Sequence, residues 1–159
     1  MIGVIECKTI VWYYGKTHEW CQLPYPGHPG GCPNYGKKKG CPPKVPLLSE
    51  VLALKRPMYL AFSRFSLQRH VRRLKRKHPD WSRKQLRCVL YWQGTSRKQM
   101  RERARECQRE TGANVVLECP EALGVNVYVT CALNGLKLEK IKNLKVCRHV
   151  ALIGFRRRL

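Results

Sequence analysis

Cys21, Cys32 and Cys41 share one stretch rich in glycine and proline, spaced C-x10-C-x8-C. Thiolates are soft donors suited to zinc or to an iron–sulfur cluster. The stretch holds too few apolar side chains to fold by burial, and ligation of a metal by its thiolates would supply folding energy in their place. The spacing has no C-x2-C pair, so its support comes from its surroundings. Glycines 27, 30, 31, 36 and 40 permit tight turns that bring backbone N–H groups toward sulfur. Pro33 follows Cys32 and Pro42-Pro43 follow Cys41, and proline after a cluster cysteine occurs in iron–sulfur loops. Three thiolates leave one position to fill. Cys119, Cys107, Cys88, His18 and His28 are the candidates. Cys119 precedes Pro120 at a strand-to-helix junction. Cys107 and Cys88 fall within helices, and Cys107 shares an apolar face, which favours simple packing. His18 and His28 lie in the loop itself and would give a Cys3His zinc site. Four thiolates suit Zn2+ or a [4Fe–4S] cluster equally. An iron left without a cysteine would have room for substrate or sulfide, and the site would become catalytic. Cys7, Cys131 and Cys147 sit in or beside apolar runs, where cysteine is often a small buried hydrophobe.

Cys32, followed by Tyr35-Gly36-Lys37-Lys38-Lys39-Gly40-Cys41-Pro42-Pro43, resembles the cysteine, tyrosine-glycine-lysine, cysteine-proline-proline signature of an uncharacterised family of predicted metal-binding proteins. Cys119-Pro-Glu121-Ala122-Leu-Gly124-Val125-Asn126-Val127 resembles that family's later cysteine, glutamate-alanine, glycine-isoleucine-aspartate-valine motif. Asn126 stands where aspartate is usual. The resemblance implies that Cys32, Cys41 and Cys119 belong to one metal site, with Cys21 as a companion. The family's further paired cysteines are missing here, and Cys107 alone stands in their region. The compact length is that of versions encoded by phages, and the family has no established reaction.

The elements that must position these residues read as strands interleaved with helices. Residues 2–14 are β-rich and predict one or two strands. Residues 15–46 predict a long loop holding seven of the ten prolines. A loop of that length in a small domain is unusual unless it is functional or tied by a metal. Leu47–Leu54 predicts a short helix and Met58–Phe65 a strand. Ser66 is an N-cap for a helix ending before Pro79, with Leu67, Val71 and Leu74 on one face. Ser82 caps a second helix through about Trp92, and Ser96–Glu110 predicts a third, stopped by Gly112. Asn114–Leu117 is a strand, and Pro120–Leu133 is mostly helical with Asn134-Gly135 as its turn. Val150–Phe155 is the last strand. The sum is a single domain of α/β or α+β class, residues 1–159, with a small mixed sheet and packed helices.

Of 159 residues, 32 are Lys or Arg and 10 are Asp or Glu, a formal net charge of +22. Such a field attracts polyanions. Residues 55–109 carry 18 basic residues against three acids, a local net of +15. Arg69, Arg72, Arg73 and Arg76 crowd one helix. Arg97, Arg101 and Arg105 form an i, i+4, i+8 stripe on another, a spacing at which like charges oppose the helix; Lys98 and Glu102 are placed to pair. With Lys37, Lys38 and Lys39 these are the candidate contacts to DNA or RNA, made to phosphates rather than to base edges. Tyr59, Phe65, Trp81, Tyr91 and Trp92 interleave with them and could stack on unpaired bases, although packing in the core explains most, and Trp81 and Trp92 are expected to pack on the helix they flank. The nine cysteines are odd in number, the start has no signal-peptide pattern, and no apolar run approaches the roughly 20 residues of a membrane span. An intracellular, reducing compartment is expected, the cytoplasm of a host cell if the chain is phage-encoded. No phosphate-binding glycine loop, zinc-deaminase signature or cluster of carboxylates is present.

Three functions compete. The first is a metal-tied module that binds nucleic acid through its basic surface. The second is an iron–sulfur enzyme acting in nucleic-acid modification or sulfur transfer. The third is a viral structural or assembly protein that binds an acidic partner. Whether the chain is an enzyme stays open at this point.

Overall fold

The computed structural model describes residues 3–13, 15–24 and 28–158; Ile2 in the expected first strand and Gly27 in the loop lie outside them. The strands are β1 (Val4–Glu6), β2 (Tyr59–Phe62), β3 (Phe65–Ser66), β4 (Val115–Leu117), β5 (Val146–Cys147) and β6 (Val150–Gly154). The helices are α1 (Lys16–Trp20), α2 (Leu48–Val51), α3 (Leu67–Lys77), α4 (Arg83–Leu86), α5 (Gln93–Thr111) and α6 (Val127–Leu133). One sheet runs β1-β2-β6-β4 and β3 pairs with β5. Every pairing is antiparallel, so the class is α+β and the sheet is not mixed.

Alternation along the strands explains the layers. Leu60 lies opposite Leu152, and both point into the larger core with Leu48, Leu52, Val125 and Cys131. Ala61 lies opposite Ala151, and Tyr59 opposite Ile153. Ala61 and Ile153 meet Ala104 and Cys107 of α5 on the other face. The small side chains Ala61 and Ala104 let the long helix α5 lie close on the sheet. β6 is buried along its whole length, which is what a central strand with both faces covered requires. A third cluster joins Leu67, Trp92 and Cys147 beneath α3.

The caps fall where the sequence puts them. Ser66 Oγ accepts from Arg69 N, and Ser82 and Gln85 form a capping box. α5 stops at Gly112, whose φ is 71°. Several expectations change. The expected 15–46 loop opens with the short helix α1, and the third helix starts at Gln93, ahead of Ser96. The helix from Ser82 ends at Leu86, and residues 89–91 form a 3-10 turn. Residues 120–133 split into a 3-10 turn (Pro120–Leu123) and α6, because Gly124 adopts φ 100° between them. Only Val4–Glu6 of the first segment joins the sheet; beyond it, Trp12 makes a lone bridge to Val125.

Asn134 fastens that first segment. Its Oδ1 accepts from Lys8 N at 2.7 Å and Thr9 N at 3.2 Å, and its Nδ2 donates to Thr9 O at 2.6 Å. One side chain thus replaces the ladder that residues 8–10 lack. Asn134→Ala is expected to cost about 1–3 kcal/mol, the sum of a few hydrogen bonds that water partly replaces, read as a lower midpoint in urea with an unchanged m-value.

Candidate metal centre and basic surface

The loop folds back on α1. Cys21 follows α1, and Cys32 N donates to Cys21 O at 2.7 Å. Gly31 makes this closure possible: its φ is 80°, and a Cβ there would lie 2.6 Å from Cys21 O. Tyr35 N donates to Cys32 O, Cys41 N to Lys38 O, and Gly36 N to Pro42 O at 2.8 Å. These turns carry Cys41 back toward Cys32 and leave Lys37, Lys38 and Lys39 exposed on the outside.

α1 in turn packs on the Pro120–Leu123 turn. His18 Nε2 lies 3.1 Å from Ala122 O. A carbonyl only accepts, so Nε2 carries the proton and is committed to that bond. Cys119 is the residue that enters this turn. The segments that carry the four expected cysteines therefore meet, and the charge of Cys41 reaches both Cys21 and Cys119. Burial raises the Cys21 thiol, and the charges of Cys32, Cys41 and Glu121 raise it further. Burial also raises the Cys119 thiol; Glu121, Glu118 and Cys41 add to this and Arg97 opposes it. Among the described residues no three His, Cys, Asp or Glu side chains stand close enough to hold a metal ion. By its chemistry a set of four soft sulfurs suits Zn2+ or a [4Fe–4S] cluster, but the described side chains are not gathered around a common point.

Of the other candidate ligands, Cys107 and Cys88 lie away from the loop and His28 within it. Cys107 is fully buried against the sheet, with its thiol raised by burial; the apolar face of α5 explains it. Cys88 opens the 89–91 turn. His28 accepts from Gly31 N through its carbonyl, in the turn that leads to Cys32. Cys7 and Cys131 are core residues whose thiols burial pushes up to about 11 and about 12.

A cavity of about 510 Å³ opens beside the cysteines, and Cys21, Cys119, Glu121, Arg97, Cys147 and His149 stand in its wall. Glu121 stands exposed in the cavity wall, and the protein around its carboxyl raises it against the pull of its own backbone N–H and of Arg97. On the far wall Cys147 Sγ lies 3.7 Å from His149 Nδ1. Ser96 Oγ is 2.8 Å from the same nitrogen and 2.8 Å from Ser63 Oγ, and His149 N donates to Ser63 Oγ. Burial and then Arg97 lower the His149 imidazole, which favours its neutral form. Sequence reading missed this cluster. Its signals were Cys147-x-His149 and a serine on the apolar face of α5.

Arg69, Arg72, Arg73 and Arg76 are exposed on α3, as are Arg97, Arg101 and Arg105 on α5. Arg101 has a partner inside the protein: its Nε and Nη2 each donate to Glu118 at 2.8 Å. That bidentate bond, with Arg101, Arg97 and Arg105 nearby, lowers the Glu118 carboxyl. One arginine of the stripe thus has a local structural role, worth no more than about 1 kcal/mol for an exposed pair. The expected Lys98–Glu102 pair is replaced, among the described residues, by Arg103–Glu106 at 2.8 Å. Trp92 packs in the core against Phe65, ring centroids 5.6 Å apart. No helix among the described residues is long and apolar enough to cross a membrane.

No protein-family model, no curated protein and no solved structure matches this chain.

Two outcomes follow from the loop geometry. Gly31→Ala is expected to open the Cys21–Cys32 closure while leaving the sheet core intact, seen as new protease sensitivity confined to residues 15–46. At pH 8 at most about one in a thousand Cys7 or Cys131 thiols is ionised. Brief iodoacetamide treatment of the native protein should therefore label exposed Cys119 and half-exposed Cys32 and Cys41 while leaving buried Cys7 and Cys131 unlabelled, as peptide mass mapping reads directly.

Proposed function

We propose that this chain is a metal-binding protein whose basic surface binds nucleic acid. The observation that carries the reading is the meeting of two distant segments. The loop with Cys21, Cys32 and Cys41 lies against the turn that begins at Cys119, although nearly eighty residues separate them. Those are also the two segments that resemble the uncharacterised metal-binding family. Cys21, Cys32, Cys41 and Cys119 would hold Zn2+ or a [4Fe–4S] cluster, which would tie the loop to the domain. Thiolates brought near one another repel, and a cation among them relieves that repulsion. The polyanion half rests on the net charge of +22 and on arginines that, among the described residues, no carboxylate pairs with, Arg69, Arg72, Arg73 and Arg76 on α3 among them.

One observation favours a second reading, an iron–sulfur enzyme acting in nucleic-acid modification or sulfur transfer. The cavity wall includes Cys21 and Cys119 together with Glu121, Cys147 and His149. A reactant seated there would lie beside the metal and beside groups able to move a proton.

Protein purified under anaerobic conditions is expected to carry stoichiometric zinc or iron, and Cys32→Ser or Cys41→Ser to lose it. A metal-free protein that takes up neither metal would sink the first half. Heparin binding should weaken steeply with salt, since each neutralised phosphate releases counterions; retention unchanged in high salt would sink the second. Broad absorbance near 400 nm together with iron would favour the enzyme.

A further inference from the structure

The end of α3 and the stretch that follows it build a column of aromatic rings apart from the core. The His78 and Trp81 rings lie 4.0 Å apart and within 10° of parallel. Trp81 and Tyr91 follow at 5.5 Å and 24°. The backbone sets this column: Trp81 N donates to His78 O, and Tyr91 N to Cys88 O. Lys75 Nζ donates to Pro79 O and to Trp81 O, locking the intervening turn. None of the three rings belongs to a buried cluster. Tyr91 is 54% exposed and its neighbour Leu90 84%, and His78 is exposed as well. Trp92, one residue on, is only 6% exposed. The chain therefore buries one aromatic residue of this stretch and aligns the others at the surface.

The charges around the column are basic apart from Asp80, which lies in the column's own turn. Arg76 and Lys77 precede it, Arg83 and Lys84 follow it, and all are exposed. Asp80 is the one acid between Glu50 and Glu102. Cations at the end of α3 suit its dipole; Arg83 and Lys84 stand in α4, a single turn of four residues, too short for a helix dipole to account for them.

We propose that His78, Trp81 and Tyr91 form a stacking platform for the unpaired bases of single-stranded nucleic acid, with the flanking Lys and Arg on its phosphates. This rests on the reading that the basic surface binds nucleic acid, and it chooses the form of that nucleic acid. A duplex keeps its base faces inside its own stack, whereas an unpaired base extends an aromatic column at its exposed end. The same geometry reads no sequence, because every base has a face.

The test is titration of the intact protein with oligothymidine, oligouridine and a duplex of equal length, followed by tryptophan fluorescence. Both single strands should quench the fluorescence and bind more tightly than the duplex; a difference between the two tells whether RNA or DNA is preferred. Trp81→Ala and Tyr91→Ala should each weaken single-strand binding roughly 5- to 100-fold, while duplex affinity and the salt needed to elute from heparin stay within about twofold. Trp81→Phe should keep most of the affinity. Trp81 is half-buried, so if its alanine variant unfolds by circular dichroism, Tyr91→Ala decides the matter. Single-strand binding unchanged in folded Tyr91→Ala overturns the platform while leaving the electrostatic reading intact. So does an equal loss for single strand and duplex. Failure of all three nucleic acids to bind overturns both.

Discussion

Residues 11–13 run against residues 124–126, and that short seam decides where the cysteine loop can go. Tyr13 N donates to Gly124 O at 2.9 Å, Asn126 N to Val11 O at 2.8 Å, and Val11 N to Thr130 Oγ1 at 3.0 Å. Gly124 makes the approach possible, since a Cβ would lie 2.6 Å from Tyr13 O. Beyond the seam, α1 falls on the 120–123 turn, His18 bonds to Ala122, and Cys21 and Cys119 come to line one cavity. Everything proposed for the thiols depends on this one close approach of backbone to backbone. It also gives the glycine of the later motif a plain steric reason for being there.

The thiol region and the basic surface are not separate features. Arg97, the first arginine of the α5 stripe, stands in the same cavity wall as Cys21 and Cys119. Its charge acts on Cys119, Glu118, Glu121 and His149 alike. Arg101 holds Glu118, the residue just before Cys119, by two hydrogen bonds. The stripe therefore does two things at once: it presents cations outward, and it anchors the end of β4 from which Cys119 departs.

Much of this was legible because local chemistry decided it. Ser66 and Ser82 before helical patterns, Gly112 after one, and the Met100-Ala104-Cys107 face all act within a few residues, and the structure keeps them. The burial of Cys7, Cys107 and Cys131 followed from their apolar neighbours. What was not legible depended on distant partners. Nothing near Arg101 announced Glu118, seventeen residues on, and nothing near Asn134 announced residues 8 and 9. The break at Gly124 was hidden because an apolar run with good helix formers surrounds it, and the demand for a left-handed residue comes from Tyr13. Likewise Ser96 is in sequence only the expected start of a helix, and its partners His149 and Ser63 lie far along the chain.

The shared position of Arg97 carries a further consequence for the proposed function. A cation entering among Cys21, Cys32, Cys41 and Cys119 meets attraction from the thiolates and repulsion from Arg97 and from a protein of net charge +22. A polyanion lying along the stripe screens that repulsion. Metal and nucleic acid would then each favour the other, and by linkage the effect is equal in both directions. The lysines of the loop add to this. Lys37, Lys38 and Lys39 sit between Cys32 and Cys41, so ordering the loop around a metal also fixes three cations in space. An ordered cation cluster loses less entropy on meeting phosphate than a mobile one. Closing the loop around a metal and assembling the polyanion surface would then be one physical event.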